Sequence, residues 1–530
     1  MPAFLLAALA LGLPAAGLLI SRVRHGHRVR VANQKRHETR RGEVARLIDA
    51  GKHVAAAELL EKMVAEMEQR LGLLTPELVW PLYTLGMVSA HCGRTDEAEA
   101  ILRRALLLAR RAPRAALDGG SPAAVSLALG WLLASTDRFL EARPYYESAL
   151  AEGDEAQRSM AEHGLGTVAQ AAGALEEAER WYRRALVSLL AEGTPAGSAS
   201  ADVGPALASP YRVRPGDADA GETGTVDLRL TLGALAGRRG ALEQAEDDFR
   251  QALAIEERRV GMHGAPLTRV LDPLARLLLT ADRLPEASLT ARRALELAAD
   301  DALARAQAEA LLGTVLCEAD DLDAARALCA QAVTRFDALA DPPARALCVA
   351  LHAQGLCLLA ARATEEAARV LSRGARVAAA EVEVRDGPST PELELSAAFL
   401  NALAYAQCEL GHLAEAERSC HRALESSRYD PRATRDEPRL ANVIDTFAEI
   451  RRRQHCLPEA RALAERALRA VSAEREDVSA GMLHGTLARV LRDEGKHDQA
   501  RIEHERALAI VLGTRGRGWR WRKLEDDFGG

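Results

Sequence analysis

Residues 82–106, LYTLGMVSAHCGRTDEAEAILRRAL, decide how the rest of the chain is read. A small residue, Gly86, follows the large apolar Leu85. Gly93 comes seven residues after Gly86, and Ala98 twelve after it. Leu102 lies four beyond Ala98, and the pair Ala105-Leu106 begins three further on. Helical spacing on both sides of a glycine-marked turn describes two helices folded back on each other. Small residues at their crossing let the backbones approach, and a large residue is expected to fill the space towards the next hairpin.

The pattern repeats in phase. It returns as Gly166, Gly173, Ala178, Tyr182 and Ala185-Leu186, and as Gly233, Gly240, Ala245, Phe249 and Ala252-Leu253. Variants follow at Gly130/Ala142, Ala275/Ala287, Gly313/Ala325, Gly355/Ala367, Ala404/Ala416, Ala448/Ala460 and Ala488/Ala500, with a degraded first copy around Ala56. One hairpin cannot bury its own apolar face, but a stack of them makes a continuous core.

These residues resemble the tetratricopeptide repeat over about residues 42–512. The resemblance implies an all-α fold, an α-α superhelical solenoid of about eleven helical hairpins. Successive second-helix alanines are mostly 36–44 residues apart, longer than the usual repeat of about 34. Leu71-Gly72 to Pro76 followed by Leu82 to Gly86, and Val260-Gly261 to Pro266 followed by Leu271 to Ala275, are similar to the longer repeats of kinesin light chains. The Asn-Asn pair typical of those repeats is mostly missing, and Asn401 alone sits at a comparable place.

Composition agrees with this reading. Alanine and leucine dominate, and aromatics make up 4% of the chain; helix formers therefore outweigh strand formers. Net charge is −7, but residues 1–41 carry eight Lys/Arg against Glu38 alone, leaving −14 for the remainder. A body that acidic is a poor general binder of nucleic acid. The eight cysteines show no C-x-x-C spacing. Cys317, Cys329, Cys408 and Cys420 fall inside repeats as buried, reduced thiols, which fits a reducing compartment.

Residues 2–20, PAFLLAALALGLPAAGLLI, carry no charge and are just long enough to span a bilayer as a helix. Arginines and Lys35 follow immediately, over residues 21–41, and the positive-inside rule keeps that flank in the cytoplasm. The expectation is a transmembrane anchor over 1–20 and a basic juxtamembrane linker over 21–41 that touches anionic lipid. A cleaved signal peptide, which would make the protein periplasmic or secreted, is the alternative. An N-terminal arm of repeats over 42–190 precedes a Gly/Pro/Ser-rich stretch, 191–224, which reads as a flexible loop. A C-terminal arm covers 225–512, with a smaller insertion around Arg385 to Pro388, and a flexible tail, basic and aromatic then acidic, covers 513–530.

No catalytic apparatus is recognisable, and no cofactor or metal is implied. Gly164-Leu165-Gly166-Thr167-Val168-Ala169 matches a dinucleotide fingerprint but lies inside a repeat helix rather than after a strand. Gly51-Lys52 and Gly495-Lys496 lack the upstream glycine of a phosphate loop. His25 and His27 are too close together to be more than an adventitious metal contact. Nothing organises a nucleophile with a base, so an enzyme is not expected.

By the resemblance, the first helix of each hairpin lines the concave face, where other proteins bind as peptide or helical segments. The first copies place Trp80, Tyr83, Met87, His91 and Trp131 there, either as a pocket for an apolar side chain or as packing between neighbours. The middle copies place Arg238, Arg269, Asp272 and Arg276. The last place Asn442, Asp445, Glu449, Arg452, Arg453, Arg489, Arg492 and Asp493. Arginine forks suit carboxylates, so the last group reads as a basic strip for an acidic segment or a free C-terminus, against the alternative of a solvated face of mixed charge. No lysine falls at a groove position, so the carboxylate clamp of chaperone-binding repeats is absent. The function implied is that of a membrane-tethered scaffold or adaptor. Nucleic-acid association through the basic linker and the tail Gly513 to Lys523 is a further alternative.

Overall fold

The computed structural model describes residues 38–113, 117, 120–191, 220–384, 390–426, 440–471 and 477–529. The apolar run 2–20, most of the basic linker, residues 192–219 and the insertion at 385–388 lie outside the described residues. Among the described residues there is no strand, and no helix is long and apolar enough to cross a membrane.

Contacts divide the chain into two compact units, 1–239 and 240–530. In the first, α1 (38–49) pairs with α2 (His53–Leu71), α3 (Val79–His91) with α4 (Thr95–Arg111), α5 (Pro122–Ser135) with α6 (Phe139–Glu152), and α7 (Glu155–Ala171) with α8 (Leu175–Ala191). Helix α9 (Ala220–Arg238) packs on α8. Residues 220–224, read from sequence as the end of a loop, therefore already belong to a helix. The second unit opens with α10 (Leu242–Val260), which packs on α11 (Thr268–Thr280). Successive pairs then follow: α11 with α12 (Leu284–Leu297), α13 (Ala302–Glu318) with α14 (Leu322–Ala338), and α15 (Ala344–Ala360) with α16 (Thr364–Val384). The last are α17 (Thr390–Glu409) with α18 (Leu413–Ser426), α19 (Ala441–Arg453) with α20 (Leu457–Ala470), and α21 (Val478–Asp493) with α22 (His497–Arg515). A final helix, α23 (Trp519–Gly529), ends the chain. The division between units falls inside the repeat read on Gly233 and Ala245.

Each hairpin turns in the same way. The residue seven after the small one enters the left-handed region: Gly93 at φ 78° and Gly173 at 75°, and without glycine Asp137 at 59°, Asp282 at 64°, Asp320 at 68°, Arg362 at 59° and His455 at 61°. The following amide donates to the carbonyl five residues back, as in Arg94 to Ser89 (3.0 Å), Arg138 to Leu133 (2.9 Å) and Cys456 to Arg451 (2.9 Å). This closes the open carbonyls at the end of the first helix.

The crossing differs in one respect from the sequence expectation. The large residue of the second helix sits directly on the small residue of its own hairpin. A Cβ added at Gly86 would meet Leu102 Cγ at 2.6 Å, one at Gly166 would meet Tyr182 Cδ1 at 2.7 Å, and one at Gly313 would meet Cys329 Sγ at 2.5 Å. Tyr146 does both jobs, covering Gly130 of its own hairpin and Gly164 of the next. Between hairpins, the residue after the left-handed position reaches back to the preceding second helix: Arg94 to Glu61 (3.2 Å), Arg138 to Glu99 (2.6 Å) and Arg283 to Glu246 (2.6 Å). Such exposed pairs contribute about 0–1 kcal/mol each, but they fix the stacking register. Cys317, Cys329, Cys408 and Cys420 are buried free thiols, as expected.

Tyr146→Ala should cost roughly 3–5 kcal/mol by emptying the socket between Gly130 and Gly164. His455→Gly, at an exposed left-handed position, should add about 1 kcal/mol. Urea unfolding measures both, the second as a higher midpoint at unchanged slope.

Candidate protein-binding surfaces

The aromatic set expected on the face of the first hairpins is mostly core. Trp80 is 5% exposed, and Tyr83 and Met87 are fully buried. They belong to one cluster with Val44, Leu60, Leu102 and Leu129, so α3 is enclosed by α1, α2, α4 and α5 and offers no open pocket there. The Arg41 guanidinium covers the Trp80 ring at 4.3 Å. His91 stacks on Trp131 with ring centroids 5.3 Å apart, and its Nδ1 lies 2.9 Å from the Met87 carbonyl. Trp131 does reach open space. With Leu127, Tyr146, Met160, His163 and Thr167 it lines a cavity of about 260 Å³. Burial pushes the His163 imidazole down to about 4, which keeps this small pocket uncharged at neutral pH.

The second unit holds a larger opening, about 690 Å³, between the first helices α11, α13 and α15. Alanines and Val349 form its apolar part, and Arg269, Arg276, Arg345, Asp272 and Gln307 supply the polar rim. Arg276 is held by Asp272 at 2.8 and 3.2 Å, and Arg269 lies 3.4 Å from Glu256. Arg345 is exposed and makes no ion pair among the described residues. It stands in the first turn of α15, whose N-terminus carries no side-chain cap. Open amide groups and a free guanidinium make this end of the pocket anion-seeking. The remaining positions bind nothing recognisable: Arg238 and Asn442 are exposed, and Asn401 is half-buried.

The four arginines near the end do come together, but not as an open strip. Glu449, buried on α19, lies among three of them: Arg452 at 2.8 Å, Arg453 at 2.8 Å and Arg489 at 3.4 Å. Burial alone would raise the Glu449 carboxyl, yet the Arg489 and Arg452 guanidiniums outweigh it and hold it well below the usual carboxylate range. Arg452 also reaches Asp493 at 2.5 Å, and Arg453 reaches Glu409 at 2.7 Å. Arg489, 8% exposed, bonds to Asp527 at 3.0 Å, and Arg492 donates to the carbonyls of Asp527 and Phe528 at 3.2 and 3.1 Å. The acid that completes the neutralisation of Arg489, Asp527, comes from α23, a segment read from sequence as a flexible tail. Asp445, beside this cluster, is pushed up to about 7 by burial, against the pull of Arg489 and of the Thr486 hydroxyl.

Two stretches, residues 82–112 and 439–512, match tetratricopeptide repeat family models. Both coincide with hairpins whose crossing and turn are described above. Those two stretches are tetratricopeptide repeats. No curated protein sequence matches it. Among solved structures it is similar to BtubC (BKLC) from P. vanneervenii, 19% identical over 44% of this chain and 92% of that one, with a TM-score of 0.33. A Rap protein complexed with Competence and Sporulation Factor is 12% identical over 76% and 99%, with a TM-score of 0.44. The apo form of RapI is 14% identical over 74% and 97%, with a TM-score of 0.49.

Of the residues read as groove positions, Arg269, Arg276 and Trp131 line cavities, and Arg345 was missed. The missed signal was Pro343 followed by a positive charge at a helix start. Among the described residues no group of His, Cys, Asp and Glu is arranged to hold a metal ion.

Two outcomes are expected of the Glu449 cluster. Arg489→Ala should cost roughly 3 kcal/mol, because it leaves Glu449 under-compensated in the interior. Asp445→Asn should leave stability nearly unchanged at about pH 3.5 and raise it by roughly 1–3 kcal/mol at about pH 8.5, because the unfolded chain ionises this carboxyl from about pH 4 upward while the folded state keeps it protonated up to about 7. Urea titrations at the two pH values measure both.

Proposed function

We propose that this protein is a scaffold that holds partner proteins by short acidic segments, seated in the opening between α11, α13 and α15. One observation supports the reading above the others: an apolar trough of about 690 Å³ has a free, exposed Arg345 and the uncapped start of α15 at one end. An acidic side chain or a chain terminus laid there gains charge-assisted hydrogen bonds of about 1.5–3 kcal/mol each. Arg276 and Arg269, already matched by Asp272 and Glu256, orient rather than attract.

The test is selection from a random peptide library. Wild type should enrich peptides carrying Asp or Glu, and Arg345→Glu should lose at least tenfold in affinity for them while its melting temperature stays put. An unchanged selection by Arg345→Glu would sink the reading.

We further propose that residues 2–20 tether the repeats to a membrane, with the body on the cytoplasmic side. The support is the uncharged run followed at once by arginines. The protein should then stay with membranes through a high-salt wash, and a C-terminal reporter should behave as cytoplasmic. Release by salt would leave only the basic flank as the contact, and an intact mass lacking the first residues would favour export.

A further inference from the structure

Helix α23 is built against its own electrostatics. Arg520, Arg522 and Lys523 occupy its first half, and Glu525, Asp526 and Asp527 its last. A helix favours acids at its start and bases at its end, so this order opposes the macrodipole. The internal pairing available, Lys523 to Asp527 at 3.2 Å, runs in the weaker direction. Eleven residues are also too few for an isolated helix in water.

The second unit supplies what the sequence lacks, at both ends. At the start, Asp320 accepts the Trp519 amide at 3.0 Å and both Arg522 Nη groups at 2.8 Å, while Glu318 accepts Arg520. At the finish, Arg492 caps the terminal carbonyls, Arg489 takes Asp527, and Arg362 takes Asp526 at 2.5 Å. In between, Leu524, 1% exposed, fills a socket left by the bare Gly485 against Ala507 and Val511. The attachment is thus Leu524, with Trp521 and Phe528 packed beside it and Phe528 stacked on His504 at 4.0 Å, and a row of ion pairs, several of them open to solvent. Left-handed Gly516, followed by Gly518, joins α23 to α22.

We propose that this surface is a binding site for an amphipathic helix of about three turns, basic in its first turn, leucine-centred and acidic in its last, and that α23 is a built-in competitor for it. The partner helix is recognised by length as well as by charge, because Asp320 and Arg492 read its two ends. Once displaced, α23 loses its helix, because eleven residues in this charge order do not hold one alone. Neither Arg345 nor its pocket takes part, so this site stands or falls apart from the function proposed above.

The test uses the full chain and a fluorescein-labelled peptide with the sequence of residues 516–530. Wild type should bind it weakly, since the tethered α23 competes at millimolar effective concentration. R520E/R522E, whose own helix is repelled by Glu318 and Asp320, should bind it at least tenfold more tightly, and adding E318R should abolish that gain. In wild type, amides of 519–528 should exchange hydrogen faster than those of α21 and α22, and faster still in high salt. Equal peptide affinity for wild type and R520E/R522E would overturn the proposal. So would protection of 519–528 equal to that of α21, or loss of repeat helicity in R520E/R522E, each of which makes α23 a fixed part of the core.

Discussion

The contact between a side chain on one helix and a bare glycine on its partner sets the geometry of the glycine-bearing hairpins, and their neighbours are stacked on that geometry. Leu102 on Gly86, Tyr182 on Gly166 and Cys329 on Gly313 are the same contact made with different atoms. Because the hairpins are alike, their turns and their ties to neighbours recur at fixed offsets. Non-glycine residues can then be forced into the left-handed position, as at Arg362 and His455. The strain there is local, and the packing on either side carries it.

Arginine, rather than lysine, makes the ties. Arg138 binds Glu99 of the previous repeat and Glu141 of its own, and Arg283 does the same with Glu246 and Glu286. A planar fork with five donors can hold two carboxylates at once, where an ammonium offers a point charge. Each such arginine therefore measures the offset between two repeats. The same property gathers Arg452, Arg453 and Arg489 around Glu449, so the charge that sequence alone assigns to a partner is already taken.

What sequence could reveal followed distance along the chain. Gly86 and Leu102 are sixteen residues apart and on one hairpin, so their pairing shows as a spacing. Tyr83 and Met87 occupy groove positions in the repeat register, yet their burial depends on α1, α2 and α5, elements whose approach no spacing encodes. Residues 519–529 read as part of a flexible tail, basic and aromatic then acidic, and their charge order does disfavour a helix. The groups that nevertheless hold them helical lie about two hundred residues earlier, at Glu318 and Asp320. The arginine ladder was legible in principle, since Arg94, Arg138 and Arg283 each directly follow the turn residue.

A stack in which each repeat touches only its neighbours frays from its ends without the middle taking notice. The second unit is not such a stack, because Trp519 is bonded to Asp320, 199 residues away. One end of the α23 seat is built from the α13/α14 turn and the other from α21, and the distance between them is set by every hairpin in between. Loosening any one of those hairpins shifts the two ends of the seat relative to each other. Seating of the last helix therefore reports that the hairpins from α13 to α21 are in place. A chain still folding, or one damaged midway, would instead leave the eleven residues of α23, rich in tryptophan and arginine, without a seat.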